Sequence, residues 1–175
     1  MARDQGPDVV LNPQQMNILI PTVSPESVEA LVFDLGGVLL DVQLQRTLRA
    51  FEALDIRGLG AAEVIDGNRA CFRDLELGLI TQEEFAEAVR RTAIPDEQLL
   101  EAWNAMLMPF DAQRVELLRE LGKRCPVYLL SNTNLPHRIR FRESFRERFG
   151  GSFDELFVRC FYSDELHLRK PDPEI

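Results

Sequence analysis

The sequence predicts an α/β fold, a parallel β-sheet core with a helical module inserted after its first strand. Two observations carry this expectation. Three short apolar runs, Ala30–Phe33, Pro126–Leu130 and Leu156–Tyr162, alternate with segments whose apolar residues recur at helical spacing. Between the first and second runs, four such helical segments follow one another with no strand pattern among them. The expected organisation is a polar, Pro-containing lead over 1–28, an α/β core over 29–42 and 111–175, and the helical module over 43–110.

The lead is broken only by Ile18-Leu19-Ile20. Ala30-Leu31-Val32-Phe33 then reads as a buried strand ending on Asp34, with Gly36-Gly37 supplying a turn. Leu44, Leu48, Phe51 and Leu54 mark the first helix, and a second is expected over Ala62–Leu77, stopped by Gly78. Thr81 with Glu84 is a capping box for a third helix carrying Phe85, Ala88 and Val89. Pro95-Asp96 opens a fourth, with Leu99, Leu100, Trp103, Met106 and Leu107 as core of the module. Asp111 caps the next helix, which carries Val115, Leu118 and Leu121 and is expected to stop at Gly122. After the second strand and Ser131-Asn132-Thr133-Asn134, a helix presents Phe141, Phe145 and Phe149 at four-residue spacing. Arg138, Arg142 and Arg146 run along the same helix with Glu143 and Glu147 interleaved, which reads as a solvated face.

The 175 residues carry 20 Lys+Arg against 29 Asp+Glu, a net charge of -9, which excludes a globally basic nucleic-acid binder. Hydrophobic residues at 45% and charged residues at 28% match a globular chain. No apolar run approaches the roughly 20 residues of a membrane span, and the N-terminus has no apolar signal region. The three cysteines, Cys71, Cys125 and Cys160, are widely spaced, with no C-x-x-C. They suggest neither a disulfide framework nor a zinc site, and a reduced, cytoplasmic setting is expected.

Ligands of parallel sheets bind beyond the carboxyl ends of the strands. Asp34 through Gly37, Ser131 through Thr133, and the segment holding Lys170 all fall just after strand runs. A carboxylate placed like Asp34 can ligate a metal, attack as a nucleophile or do both, with the glycines freeing backbone N–H groups toward an anion. It can equally do no more than cap the turn. A hydroxyl at Ser131 can hold a phosphate oxygen or close a turn. Lys170 precedes Pro171-Asp172-Pro173, which stiffen the backbone around it, although an exposed loop lysine is the ordinary case. Asn132 is a phosphate or substrate contact or a turn former. His137 reads as structural or exposed.

Taken together, VFDLGGVLLD at residues 32–41, LLSNT at 129–133 and LRKPDPEI at 168–175 resemble the haloacid dehalogenase-like (HAD) hydrolase superfamily. Within it, the chain is similar to a C1-capped, phosphatase-like bacterial subgroup. The resemblance spans about residue 30 to Ile175. It implies a Rossmann-like core with a helical cap, and Mg²⁺-dependent hydrolysis of a small phosphorylated metabolite such as a sugar phosphate; the charge and hydropathy above add the expectation of no nucleic-acid and no membrane partner. It implies that Asp34 is the nucleophile and a Mg²⁺ ligand, with the Gly36 carbonyl as a second ligand. It further implies that Ser131, Asn132 and Gly37 bind substrate, and that Lys170 neutralises the reacting oxygens.

Two departures matter. Gly36 stands where most phosphatases of the superfamily carry a second aspartate as general acid/base, so the leaving group must be protonated by water or by the substrate itself. The acidic fourth motif should follow a further strand beyond Lys170. The sequence ends at Ile175 without it, so a C-terminally incomplete core is expected, lacking roughly 30 residues or more. His167 occupies a position where glycine is usual in such sequences. A metal-independent dehalogenase, in which Asp34 attacks carbon, and a non-catalytic binding module are the competing expectations.

Overall fold

The computed structural model of the chain describes residues 27–56, 60, 70–90 and 93–175. Most of the lead, including Ile18–Ile20, and the first half of the second expected helix lie outside the described residues. Among the described residues the architecture is α/β, with one parallel sheet and seven helices.

Strand β1 (Leu31–Phe33) pairs in parallel with β2 (Val127–Ser131), which pairs in parallel with β3 (Arg159–Tyr162), so β2 is central. The register sets Phe33 beside Leu129 and Ser131 beside Tyr162, which brings the carboxyl ends of all three strands to one edge. Among the described residues β1 pairs with β2 alone; Leu31 and Phe33 pack against the core while Val32 is 64% exposed, so the strand is only partly buried, not buried as expected. The third strand is also shorter than its apolar run. Phe153–Leu156 forms a 3₁₀ turn, and Phe153 and Phe157 face the sheet-layer core instead of extending a ladder, their rings 5.2 Å apart.

Helices α1 (Leu44–Ala53), α2 (Ala70–Glu76), α3 (Gln82–Val89) and α4 (Asp96–Asn104) lie between β1 and the rest of the sheet layer in sequence. They enclose their own apolar cluster around Phe51, Phe72, Phe85 and Trp103. The Trp103 ring sits 5.3 Å from Phe72 and 5.4 Å from Phe85. Thr81 caps α3 as expected, accepting from Glu84 N–H at 3.1 Å while Glu84 accepts from Thr81 N–H at 2.8 Å. A cap of this kind contributes about 1 kcal/mol.

A second cluster joins the sheet to α5 (Ala112–Gly122) and α6 (Leu135–Phe149). Asp111 caps α5 by accepting from the N–H groups of Gln113 and Arg114. The helix runs through Gly122 instead of stopping before it, because Lys123 keeps right-handed helical dihedrals. On α6, Phe141 and Phe145 are buried as their spacing predicts. The basic line is a solvated face only in part, since Glu143, Arg146 and Glu147 are exposed. Arg138 is buried and bonded to Asp164 and Glu165 on α7 (Ser163–Leu166), and Arg142 pairs with Asp154.

Two chain crossings hold the four-helix cluster to the sheet layer. Gln43 N–H donates to the Met106 carbonyl at 2.8 Å, and Met108 N–H donates to Asp41 at 3.0 Å. Between them, the buried Thr47 hydroxyl donates to the Trp103 carbonyl and accepts from Met106 N–H. On the far side, Gly78 has φ +63°, and a Cβ there would lie 2.1 Å from the Asp164 carbonyl oxygen. Only glycine combines that dihedral with so close an approach.

Candidate active site

The strand ends deliver three side chains to one edge. Asp34 follows β1, and its Oδ1 accepts from Leu35 N–H at 2.8 Å, which fixes the carboxylate at the turn. Its Oδ2 lies 2.9 Å from Lys170 Nζ. That ammonium also donates to the carbonyl of Leu130, at 3.0 Å, one residue before the end of β2. Lys170 is therefore held by one charged and one neutral acceptor on two neighbouring strands, and it is no free loop lysine.

Ser131 closes β2 and is 2% exposed. Asn132 beside it is a clamp on the lysine segment. Its Oδ1 accepts from Lys170 N–H at 2.8 Å and its Nδ2 donates to the Lys170 carbonyl at 2.9 Å. The amide thus spends its main hydrogen bonds on positioning Lys170, while Asn132 also lines the cavity described below. Gly37 is likewise engaged within the fold. Its φ of +76° is the turn conformation the glycine pair foretold, but its N–H donates to Leu40 at 2.8 Å. The loop from Leu35 to Leu40 closes on itself, so that N–H does not face an anion.

Above the edge lies a cavity of about 320 Å³ between the sheet layer and the helix cluster. Gly36, Ser131, Asn132 and Thr133 form its floor, and Leu44, Trp103, Met106 and Leu107 are on the helix side. A Cβ at Gly36 would lie 3.2 Å from Val42 Cγ2, a tight contact that Val42 would have to yield to by a small shift.

His137 also lines the cavity, yet it is consumed by the fold. Its ring stacks on Trp103 at 4.7 Å, and its two nitrogens meet Asn134 Nδ2 and the Trp103 carbonyl. Burial pushes its pKa down to about 4, with the Trp103 carbonyl acting weakly the other way, so the ring is neutral. This is the structural role the sequence suggested.

Two residues of the site, Ser163 and Glu76, escaped sequence reading. Ser163 is fully buried, accepting from Thr133 N–H and donating to the Thr133 carbonyl, and so ties the end of β3 to the loop after β2. Glu76, the last residue of α2, lines the cavity and pairs with Arg169, Oε2 to Nη2 at 2.9 Å. His167, at φ +58°, turns the chain between α7 and Arg169, in keeping with glycine being usual there. Its Nδ1 lies 2.7 Å from the Leu77 carbonyl.

Among the described residues no three His, Cys, Asp or Glu side chains converge as a metal site. The hard oxygen donors at the edge are the Asp34 carboxylate and the backbone of its turn at Gly36. Such a donor set suits Mg²⁺, which commonly takes one or two carboxylates and fills its remaining positions with substrate oxygens and water.

A carboxylate and a lysine joined across the carboxyl edge of a parallel sheet, beneath a helical roof, define a class of α/β proteins with a sheet-edge reaction centre. The chain is similar to a HAD family enzyme from Bacteroides thetaiotaomicron, at 30% identity and a TM-score of 0.77, over 84% of this chain and 74% of that one. That enzyme has also been solved with magnesium and inorganic phosphate, with a TM-score of 0.76 to this chain. A predicted HAD-like family hydrolase from Porphyromonas gingivalis is 27% identical with a TM-score of 0.69, over 84% of this chain and 72% of its own. Among curated proteins, D-ribitol-5-phosphate phosphatase from B. thetaiotaomicron is 27% identical over 153 residues, 85% of this chain and 73% of its own length. No protein-family model matches the chain. The chain belongs to the HAD-like hydrolase superfamily.

Proposed function

We propose that the chain is a Mg²⁺-dependent phosphatase that hydrolyses a small phosphomonoester, a sugar or polyol phosphate, through an aspartyl-phosphate on Asp34. The observation that carries this reading is the Lys170–Asp34 contact at the sheet edge, whose chain neighbours Leu35 and Gly36, with Ser131 and Asn132, line a metabolite-sized cavity. The relatives support it, one named as a ribitol-phosphate phosphatase and one solved with magnesium and phosphate.

In this reading an Asp34 carboxylate oxygen attacks phosphorus and the bond to the leaving alcohol breaks. Lys170 offsets the negative charge that Asp34 and the phosphoryl oxygens bring together, and the Ser131 hydroxyl donates to one of those oxygens. Gly36 offers no acid, so the departing alkoxide takes its proton from water or from the substrate's own phosphate. Water then attacks the aspartyl-phosphate, releasing phosphate and restoring Asp34. Asp34 and the Gly36 carbonyl would hold Mg²⁺, which supplies positive charge to the phosphoryl oxygens when bound. The helix roof limits water in the cavity.

Phosphate release from a panel of sugar and polyol phosphates, with and without Mg²⁺ and with EDTA, tests the reading. Release that needs Mg²⁺ and vanishes in Asp34→Asn supports it. Activity untouched by EDTA contradicts the metal dependence, and release undiminished in Asp34→Asn contradicts the nucleophile.

A further inference from the structure

Glu76 is the one charged side chain among the described residues lining the cavity. The other polar groups there are largely committed. Asn132 holds Lys170, and His137 is engaged at both ring nitrogens. The remaining walls are apolar, with Leu40, Val42, Leu107 and Phe141 among them. A molecule whose phosphate lies at Ser131 therefore meets one strong acceptor on its far part, the Glu76 carboxylate at the end of α2.

That carboxylate is set in place from the core side. Arg169, next in sequence to Lys170, bonds its Oε2, while Arg169 Nε is buried with no partner of its own. The guanidinium fixes the orientation of Glu76 and cancels much of its charge. A neutral hydroxyl is then a better match for the free face of the carboxylate than a cation, and an anion is repelled. Burial pushes the Glu76 carboxyl up and Arg169 pulls it back, so desolvation is only partly compensated within the protein and a donor from a ligand completes it.

We propose that Glu76 is a specificity-determining residue, accepting a hydrogen bond from a hydroxyl of an uncharged, polyhydroxylated leaving group and rejecting phosphomonoesters that carry a second anionic group. The proposal rests on the phosphatase reading and adds the residue that selects within its substrate class. It also links recognition to chemistry through adjacent residues, because Arg169 positions Glu76 while Lys170 contacts Asp34.

The test compares wild type, Glu76→Gln and Glu76→Ala on ribitol 5-phosphate, phosphoglycolate and p-nitrophenyl phosphate. In both variants the ratio of kcat/KM for ribitol 5-phosphate to that for p-nitrophenyl phosphate should fall about tenfold or more, carried by KM, as for loss of a hydrogen bond to a charged group. The same ratio for phosphoglycolate should rise in Glu76→Gln, a gain that mere loss of a structural ion pair does not produce. Equal losses on all three substrates would reduce Glu76 to a structural tie and overturn the proposal, as would unchanged ratios. Should wild type release phosphate from none of them, the phosphatase reading falls separately. Binding of ribitol 5-phosphate, read through the fluorescence of Trp103, the single tryptophan, then decides. Weaker binding in Glu76→Ala than in wild type supports the recognition role, and equal or absent binding overturns it.

Discussion

Lys170 Nζ stands 2.9 Å from Asp34 Oδ2 and 3.0 Å from the carbonyl of Leu130, so one ammonium bridges the ends of two adjacent parallel strands. In the proposed mechanism this contact would set a fixed positive charge between the Asp34 carboxylate and the phosphoryl group it attacks. It also explains why the lysine segment must fold back across the sheet edge before the site exists.

The first prediction concerns this pair. Lys170→Met should lower kcat for phosphate release by about 10²–10³-fold, the usual loss when one preorganised charge-stabilising donor is removed. Asp34→Asn should abolish turnover. Both side chains are partly exposed, 31% and 44%, so the melting temperature should move little. Steady-state kinetics with a thermal melt checks both statements, and activity within a few-fold of wild type in Lys170→Met would refute the role given to the ammonium.

Asn132 is the support behind that lysine. Asn132→Leu removes the partners of both Lys170 N–H and Lys170 C=O, two bonds of 2.8 and 2.9 Å. The expected cost is about 1–3 kcal/mol of stability from the unsatisfied backbone groups. Turnover should fall as well, because Lys170 loses its register against Asp34. Asn132→Asp keeps an acceptor for the N–H but sets a carboxylate against the carbonyl, so it should recover only part. Urea unfolding and kcat, measured on both variants, separate the two effects.

The meeting of Asp34, Ser131 and Lys170 at one sheet edge was legible because each follows an apolar run, and parallel pairing sends such positions to one side. The capping box at Thr81 and Glu84 was legible because it depends on residues three apart. What stayed hidden depends on distant contacts. Arg138 looks solvent-facing by its spacing with Glu143, yet α7 brings Asp164 over it and buries it. Glu76 reads as the end of an amphipathic helix until Arg169 is set beside it. Gly37 illustrates the opposite limit, since a positive φ was foreseeable but the closure of its N–H onto Leu40 was not.

His137 gives a pH prediction. Its pKa is lowered from 6.5 to about 4 in the folded chain, chiefly by burial. As pH falls, the unfolded chain takes up the proton first, so the native state loses stability through that window. Stability should be full above about pH 6.5 and decline toward pH 4, by about 3 kcal/mol from this residue. Unfolding in urea at pH 7.5, 6 and 5 measures the slope. His137→Gln should flatten it, and an equal slope in the variant would assign the acid sensitivity to other groups.

Arg138 and Asp164 form a buried pair, with side chains 10% and 4% exposed and Nε 2.9 Å from Oδ2. The second carboxylate oxygen, Oδ1, is buried with no partner. Burial pushes the Asp164 carboxyl up, against the pull of Arg138. Arg138→Met should therefore cost about 3–5 kcal/mol, because it strands a buried carboxylate. The double variant Arg138→Met with Asp164→Leu should recover most of that loss, since two apolar groups leave no charge to desolvate. Glu165, which also bonds Arg138, is half exposed and can return to water. If the double variant is no more stable than Arg138→Met alone, the pair is held by more than mutual neutralisation. The turnover of the double variant is the sharper readout. Asp164 begins the segment that carries His167, Arg169 and Lys170, and its carbonyl oxygen crowds the position of Gly78. Should stability return while turnover stays low, the ion pair sets the path of that segment into the site as well as holding the helix to the sheet.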